Sequence, residues 1–326
     1  MRQSPEFGKT APETLVWLGF ALYGVGMIVR SRPPHFAIAF VLRGSILPKV
    51  AARLLVILVV SCLAVWLHSL WPQQLGVKSA APFTLLGLGL SIFMGFRNNA
   101  CYDRWWEGRK QWGALVGISR NMLRDIVAII PAEDPFHRQA VTMVGGFARC
   151  LRDQLRGTVA ETRNDWQPAG GWARRGGAKS SLILAELAEG FASRMRQGDI
   201  SDIIYRMFSD HLGQMAGVQA ACERLNSAPV PFAYSLMLHR SVWLFCLVLP
   251  FGIVDILGFG TPFITIVLAY SFLGLDALGE ELEKPFSMDL NSLPLDALTR
   301  IIEISVAEAL QEPPPPALQP QDYVLL

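Results

Sequence analysis

Charge is scarce in this sequence. Asp, Glu, Lys and Arg make up 17% of its 326 residues, against about a quarter in an ordinary soluble domain. The shortfall is concentrated in long uncharged runs, which excludes a conventional soluble globule and reads as a polytopic membrane protein. A net charge of only +2, with no basic patch interleaved with aromatics, excludes a nucleic-acid partner. Cysteine is sparse and scattered: Cys62, Cys101, Cys150, Cys222 and Cys246 form no CxxC or Cys/His spacing, so neither a metal centre nor a disulfide framework is expected. Strand alternation, internal repeats, Ser/His/Asp arrangements and paired carboxylates are all missing. No enzyme chemistry and no cofactor are therefore expected. His35, His68, His137, His211 and His239 stand apart from one another and read as surface or interface side chains rather than ligands.

What is present is apolar length. Against the ~20 residues a bilayer needs, four spans are readable: Leu54 to about Trp71, Phe83 to Phe96, about Ser241 to Leu257, and Pro262 to about Leu275. Arg43, Lys49 and Arg53 precede the first span, Arg97 and Arg104 follow the second, and His239-Arg240 precede the third. The short loops on the other side hold only Lys78. This asymmetry places both termini and the whole middle segment in the cytoplasm. Pro250 and Asp255 weaken the third span, which reads as a bent helix with its acid near the outer interface.

The second span is the most informative. It shows no helix stop after Phe96, and Tyr102-Asp103-Arg104-Trp105-Trp106-Glu107 carry the same helix onward into water. Leu88, Ile92 and Phe96 recur at i, i+4 and i+8 and so stack on one face. Three bulky apolar side chains on one stripe make a candidate hydrophobic constriction; the alternative is a stripe facing lipid or neighbouring helices.

About 140 residues separate the second and third spans, with helical periodicity over 182–189 and 201–225. Thr158 to Ser180 reads as a loop, its Gly176-Gly177-Ala178-Lys179-Ser180 a solvated turn rather than a phosphate loop, since no strand precedes it. Residues 1–26 read as a doubtful N-terminal extension: Leu15 to Val29 is short, holds three glycines and lacks a basic lead-in, which makes it a poor signal peptide. An interfacial segment, or initiation at Met27, fits better. Residues 308–326, from Glu312-Pro313-Pro314-Pro315-Pro316 onward, read as a disordered Pro-rich tail.

Ordered motifs then point to a family. Ala81-Pro82-Phe83-Thr84-Leu85-Leu86-Gly87, Gly95-Phe96-Arg97-Asn98-Asn99, Arg104-Trp105-Trp106, Ala221-Cys222-Glu223-Arg224, Pro229-Val230-Pro231-Phe232-Ala233-Tyr234-Ser235-Leu236, Leu238-His239-Arg240 and Glu280-Glu281-Leu282-Glu283-Lys284-Pro285-Phe286 together resemble the bestrophin family, its bacterial branch above all. The resemblance runs from about Met27 to Ala307. It implies one all-α channel domain over 27–307, with membrane helices at about 50–97 and 241–276 and a cytoplasmic helical region at about 98–240 and 277–307. It further implies a homopentameric channel in a bacterial inner membrane, passing small monovalent ions through one shared pore. The neck of that pore matches Leu88, Ile92 and Phe96, and a second aperture at the cytoplasmic exit matches Val230. One departure matters. Animal bestrophins clasp calcium with an acidic run after the fourth span, whereas Ser287-Met288-Asp289-Leu290-Asn291-Ser292-Leu293 holds a single carboxylate. A calcium site needs six to eight oxygen ligands, so calcium activation is not expected.

Apolar rings discriminate poorly by charge sign, so selectivity has to come from the pore mouths. The helix N-terminus opening the second span favours anions. Asp103 lies about 20° off the neck face at roughly 100° per residue; it either forms an acid ring that favours cations or pairs with a neighbour off the pore. Both selectivities occur in the family. The rival class, a secondary transporter of small solutes or ions, requires intramembrane charges or broken helices in repeated halves, and neither is visible. One neck-lining helix per chain cannot enclose a pore. Size measurement in detergent is therefore expected to give about five times the 36.0 kDa of one chain plus the micelle; a monodisperse monomer or dimer would contradict a shared central pore.

Overall fold

After Pro82 no proline interrupts the chain for almost fifty residues, and Ala81–Ile129 forms one continuous 49-residue helix, about 73 Å long at 1.5 Å per residue. The computed structural model describes residues 45–72, 81–158, 179–289 and 291–320. The expected N-terminal extension, a start at Met27 and the Gly176-Gly177 turn lie outside the described residues. The helices are α1 (Leu47–Leu70), α2 (Ala81–Ile129), α3 (Pro135–Arg156), α4 (Lys179–Gln197), α5 (Asp202–Ser227), α6 (Phe232–Leu257), α7 (Thr261–Glu283) and α8 (Leu295–Ala309). A 3-10 turn, Gly258–Gly260, joins α6 to α7. Gly258 takes φ +52° there, a left-handed conformation that residues with a Cβ adopt reluctantly. All regular elements among the described residues are helical.

The side chains sort the helices into two cores. The upper core gathers Val50, Leu54, Ile57, Leu90, Met94, Val242, Phe245, Cys246, Ala269 and Leu273 from α1, α2, α6 and α7. Those helices alternate in direction. At one end His68 meets Asp255 at 3.3 Å and the Phe83 ring packs over Gly252; at the other, Arg53, Arg97, His239 and Asp276 converge. Leu47–Leu70 and the run Phe232–Glu283 are long and apolar enough to cross a membrane. Asp255 sits near the end of α6, five residues beyond the helix-internal Pro250.

The lower core packs the second half of α2 against α3, α4, α5 and α8 through residues such as Trp112, Met122, Phe147, Ile183, Leu212 and Leu298. Its joints are specified locally. Asp134 caps α3 by accepting from the Phe136 amide at 2.8 Å, with Pro135 in the first turn. Arg194 on α4 closes over the same carboxylate, 2.6 Å from Nε to Oδ2. That guanidinium, through its hydrogen bonds, holds the Asp134 carboxyl below its usual range. Residues 312–320 have no regular secondary structure, yet Arg138 pairs with Glu312 at 2.5 Å and Arg300 donates to the Pro316 carbonyl at 3.0 Å.

The tightest joint is at Gly190, where an added Cβ would sit 2.1 Å from the Phe136 ring. That ring cannot swing away freely: it stands edge-on to Phe191 at 5.2 Å and the Arg194 guanidinium covers it at 4.1 Å. Gly190→Ala is therefore expected to destabilise the lower core by about 1–3 kcal/mol through overpacking, read as a lower thermal midpoint in detergent. Gly217→Ala, inside α5 with open space at its Cβ, is the control that should hold or slightly raise it, alanine being the better helix former.

Candidate functional site

The long helix α2 buries one stripe along most of its length. Leu90, Met94, Arg97, Cys101, Trp105, Gly108, Trp112, Leu115, Ser119, Met122 and Ile126 are buried at intervals of three or four residues, the period of a straight α-helix. Leu88, Ile92 and Phe96 fall within about 50° of a line diametrically opposite that stripe, at roughly 100° per residue. They are 60%, 50% and 64% exposed in the single chain. Leu85, 70% exposed, continues the line by one more turn toward the start of α2. The sequence reading missed it, although its spacing from Ile92 was a signal.

Beyond Phe96 the same line turns polar through Asn99, Asp103 and Lys110. Asp103 is exposed, and among the described residues it has no ion-pair partner. Lys110 is not comparably free, because its ammonium lies 2.6 Å from Glu107. The Lys110 and Gln111 hydrogen bonds to Glu107 hold that carboxyl below its usual range. Arg104, next to Asp103, spends its donors on backbone carbonyls of Leu225, Ala228 and Glu283.

Val230 is half-buried in the linker between α5 and α6. Arg104 reaches the carbonyl of Ala228, in that linker, at 2.6 Å, and Arg104 is only eight residues past Phe96 on α2, about 12 Å along its axis. Val230 therefore lies two residues from a point tied to α2 about two turns past Phe96, on the Arg104 side of the helix rather than on the Leu88–Phe96 line. The opposite end of α5, about 37 Å away along the helix, carries Ile203, 77% exposed, in a first turn capped by the Ser201 hydroxyl. Sequence reading passed over Ile203, because one isoleucine at a helix start carries no signal until its exposure is known.

Behind the exposed line sits a charge network that spacing alone did not reveal. Asp276 on α7 is fully buried, and Arg97 on α2, 2% exposed, donates to it from Nη1 at 2.6 Å. His239 on α6 bonds its other oxygen through Nδ1 at 2.7 Å. Arg53 on α1 approaches to 3.9 Å. The expectation that the histidines stand apart is thus corrected for His239: residues far apart in the chain are brought together where four helices of alternating direction pack side by side. His239, Asp276 and Glu280 hold ligand atoms within 4.8 Å of one another. Both Asp276 oxygens are already engaged by cationic or N–H donors, and a dication would add to two guanidinium charges, so the cluster is built as an ion-pair hub. Nearby, Lys49 binds Glu281 at 3.0 Å and approaches Asp289, the one acid of the 287–293 turn, at 3.8 Å. Asn291 donates to the second Glu281 oxygen at 2.5 Å.

This geometry has close counterparts. The sequence pattern of the bacterial/fungal bestrophin proteins matches residues 27–308. A voltage-dependent anion channel-forming protein of Mesorhizobium japonicum is 40% identical over 311 residues, covering 91% of this chain and 96% of the relative. One from Escherichia coli K12 is 39% identical over 295 residues, covering 89% and 96%. The crystal structure of a bacterial bestrophin homologue from Klebsiella pneumoniae superposes with TM-score 0.76 at 36% identity, over 81% of this chain and all of that one.

Removing one partner from a buried ion pair leaves the other charge uncompensated, at about 3–5 kcal/mol. Asp276→Asn is accordingly expected to lower the thermal midpoint in detergent sharply, since it strands Arg97. Arg53→Gln, which loses only a 3.9 Å approach, should cost far less. Equal losses for the two would show that Arg97 does not depend on Asp276.

Proposed function

The chain belongs to the bacterial/fungal bestrophin family, and from that premise we propose that it is an ion channel of a bacterial inner membrane, in which five copies surround one central pore. Four helices per chain, α1, the first half of α2, α6 and α7, cross the bilayer with both termini in the cytoplasm. The remaining helices form the cytoplasmic wall of the conduit. The observation that carries this reading is the exposure of Leu88, Ile92 and Phe96 on the side of α2 opposite its buried stripe. A bulky apolar line presented away from the chain's own core is what five-fold rings require. Such rings bind no ion and gate by excluding water when narrow.

Small monovalent ions are the permeant class. The names of the relatives and the α2 N-terminus at the outer mouth favour anions; Asp103 below the neck, without an ion-pair partner among the described residues, favours cations. Two side chains compete for the second constriction: Val230, by family resemblance, just below the neck, and Ile203, by exposure, at the far end of α5. Calcium is not required in this reading, because Lys49 already supplies the positive charge beside Glu281 and Asp289. A carrier would need a charged or broken-helix site at mid-bilayer; here the buried charges gather at the inner ends of the four helices.

Single-channel recording in a planar bilayer tests the whole scheme, since unitary steps exclude a carrier. Ile92→Ala and Phe96→Ala are expected to lower the dewetting barrier and raise conductance or open probability. Comparing Val230→Ala with Ile203→Ala identifies the second constriction. Under a salt gradient, Asp103→Asn should move the reversal potential toward anions, with a shift that shrinks at high ionic strength as the charges are screened. Unchanged currents in the neck variants would remove α2 from the pore, and an unmoved reversal potential would retire the acid ring.

A further inference from the structure

We propose that Arg104 is a positioning residue that makes the neck and the Val230 linker move as one unit, an inference that rests on the pore reading above. Its guanidinium donates from Nη2 to the Leu225 carbonyl at 2.5 Å, from Nη1 to the Ala228 carbonyl at 2.6 Å, and from Nε to the Glu283 carbonyl at 3.4 Å. Leu225 and Ala228 lie in the last turn and at the C-cap of α5, and Glu283 is the last residue of α7. Carbonyls at a helix C-terminus lack intrahelical partners, and a cation there also complements the negative end of the helix dipole. One planar fork thus caps two helices and fastens both to α2. A lysine cannot reproduce this, because its three donors radiate from a single atom.

The linker is fastened on both sides of Val230. Upstream, Arg104 holds Ala228; downstream, the Tyr234 hydroxyl donates to the Phe93 carbonyl at 3.3 Å, within the turn that carries Ile92 and Phe96. Every tie therefore runs to the same rigid helix that bears the neck. A rotation of α2 that withdraws Phe96 has to carry Ala228 and Tyr234 with it, and Val230 between them. Arg104 has no ion pair among the described residues, so its charge is committed to this clamp.

Independent gates in series multiply, so their effects on the logarithm of open probability add; coupled gates depart from that product. The experiment is a double-mutant cycle of Phe96→Ala and Val230→Ala, recorded from the full-length protein in planar bilayers, in the wild-type and the Arg104→Lys backgrounds. The expected result is a departure of about fivefold or more from the product in the wild type, shrinking toward one in Arg104→Lys. Unchanged elution on size exclusion establishes that Arg104→Lys assembles; if it does not, Arg104→Gln, which keeps a planar amide donor, takes its place. Two gating variants that multiply independently in the wild type overturn the coupling while leaving the pore reading intact. A departure that persists undiminished without Arg104 overturns its role. A silent Val230→Ala beside an active Phe96→Ala overturns the coupling and leaves the pore reading intact, whereas currents unaffected by both variants overturn the pore reading itself, and the coupling with it.

Discussion

One buried carboxylate organises the upper half of this protein. Asp276 is fully buried in an apolar bundle, where an unpaired charge would cost several kcal/mol. Its compensation comes from every other helix of that bundle: Arg97 from α2, His239 from α6 and, at a longer approach, Arg53 from α1. Because each partner comes from a different helix, the requirement to neutralise one charge fixes the registers of four helices at once. Hydrophobic packing alone is permissive about such sliding, since Leu, Val and Ile substitute for one another along an apolar seam.

Arg97 directly follows Phe96. The hub therefore also sets the rotation of α2: with Arg97 held inward by Asp276, the 3.6-residue period turns Leu88 and Ile92 to the far side and Phe96 about 100° away from the hub. The same period continues unbroken into the lower core, where Trp105, Trp112 and Leu115 are buried on the stripe that Arg97 begins to polarise. α2 is thus a shared spine, and its orientation in one core dictates its orientation in the other.

Where the two cores meet, charged side chains tie the ends of helices together. Lys49 fills the notch made by Glu281 and Asp289, and Arg104 satisfies carbonyls at the ends of α5 and α7. Trp105 adds its indole N–H to the Asn291 carbonyl at 3.0 Å, beside Gly108, whose missing side chain admits Phe286 and Leu293. The Arg104, Trp105 and Gly108 contacts join the end of α7 to α2 just past the apolar half, while Lys49 joins it to α1; Asp103, on another side of α2, has no ion-pair partner among the described residues.

The all-helical class, the apolar segments and the continuation of α2 beyond Phe96 were legible in the sequence, because each depends on local composition and on a period that one segment displays by itself. The alignment of Leu88, Ile92 and Phe96 was legible for the same reason. Which way that line faces was not: a helix has apolar stripes on several sides, and only Arg97 locked to Asp276 chooses among them. The pairing of His239 and Arg53 with a residue on α7, the neutralisation of Asp289 by Lys49 and the exposure of Ile203 were equally hidden, since they join or isolate positions far apart in the chain. Local periodicity determined the elements; the tertiary structure decided their rotation and register, because a buried charge has to find its partner across helices that no local pattern connects.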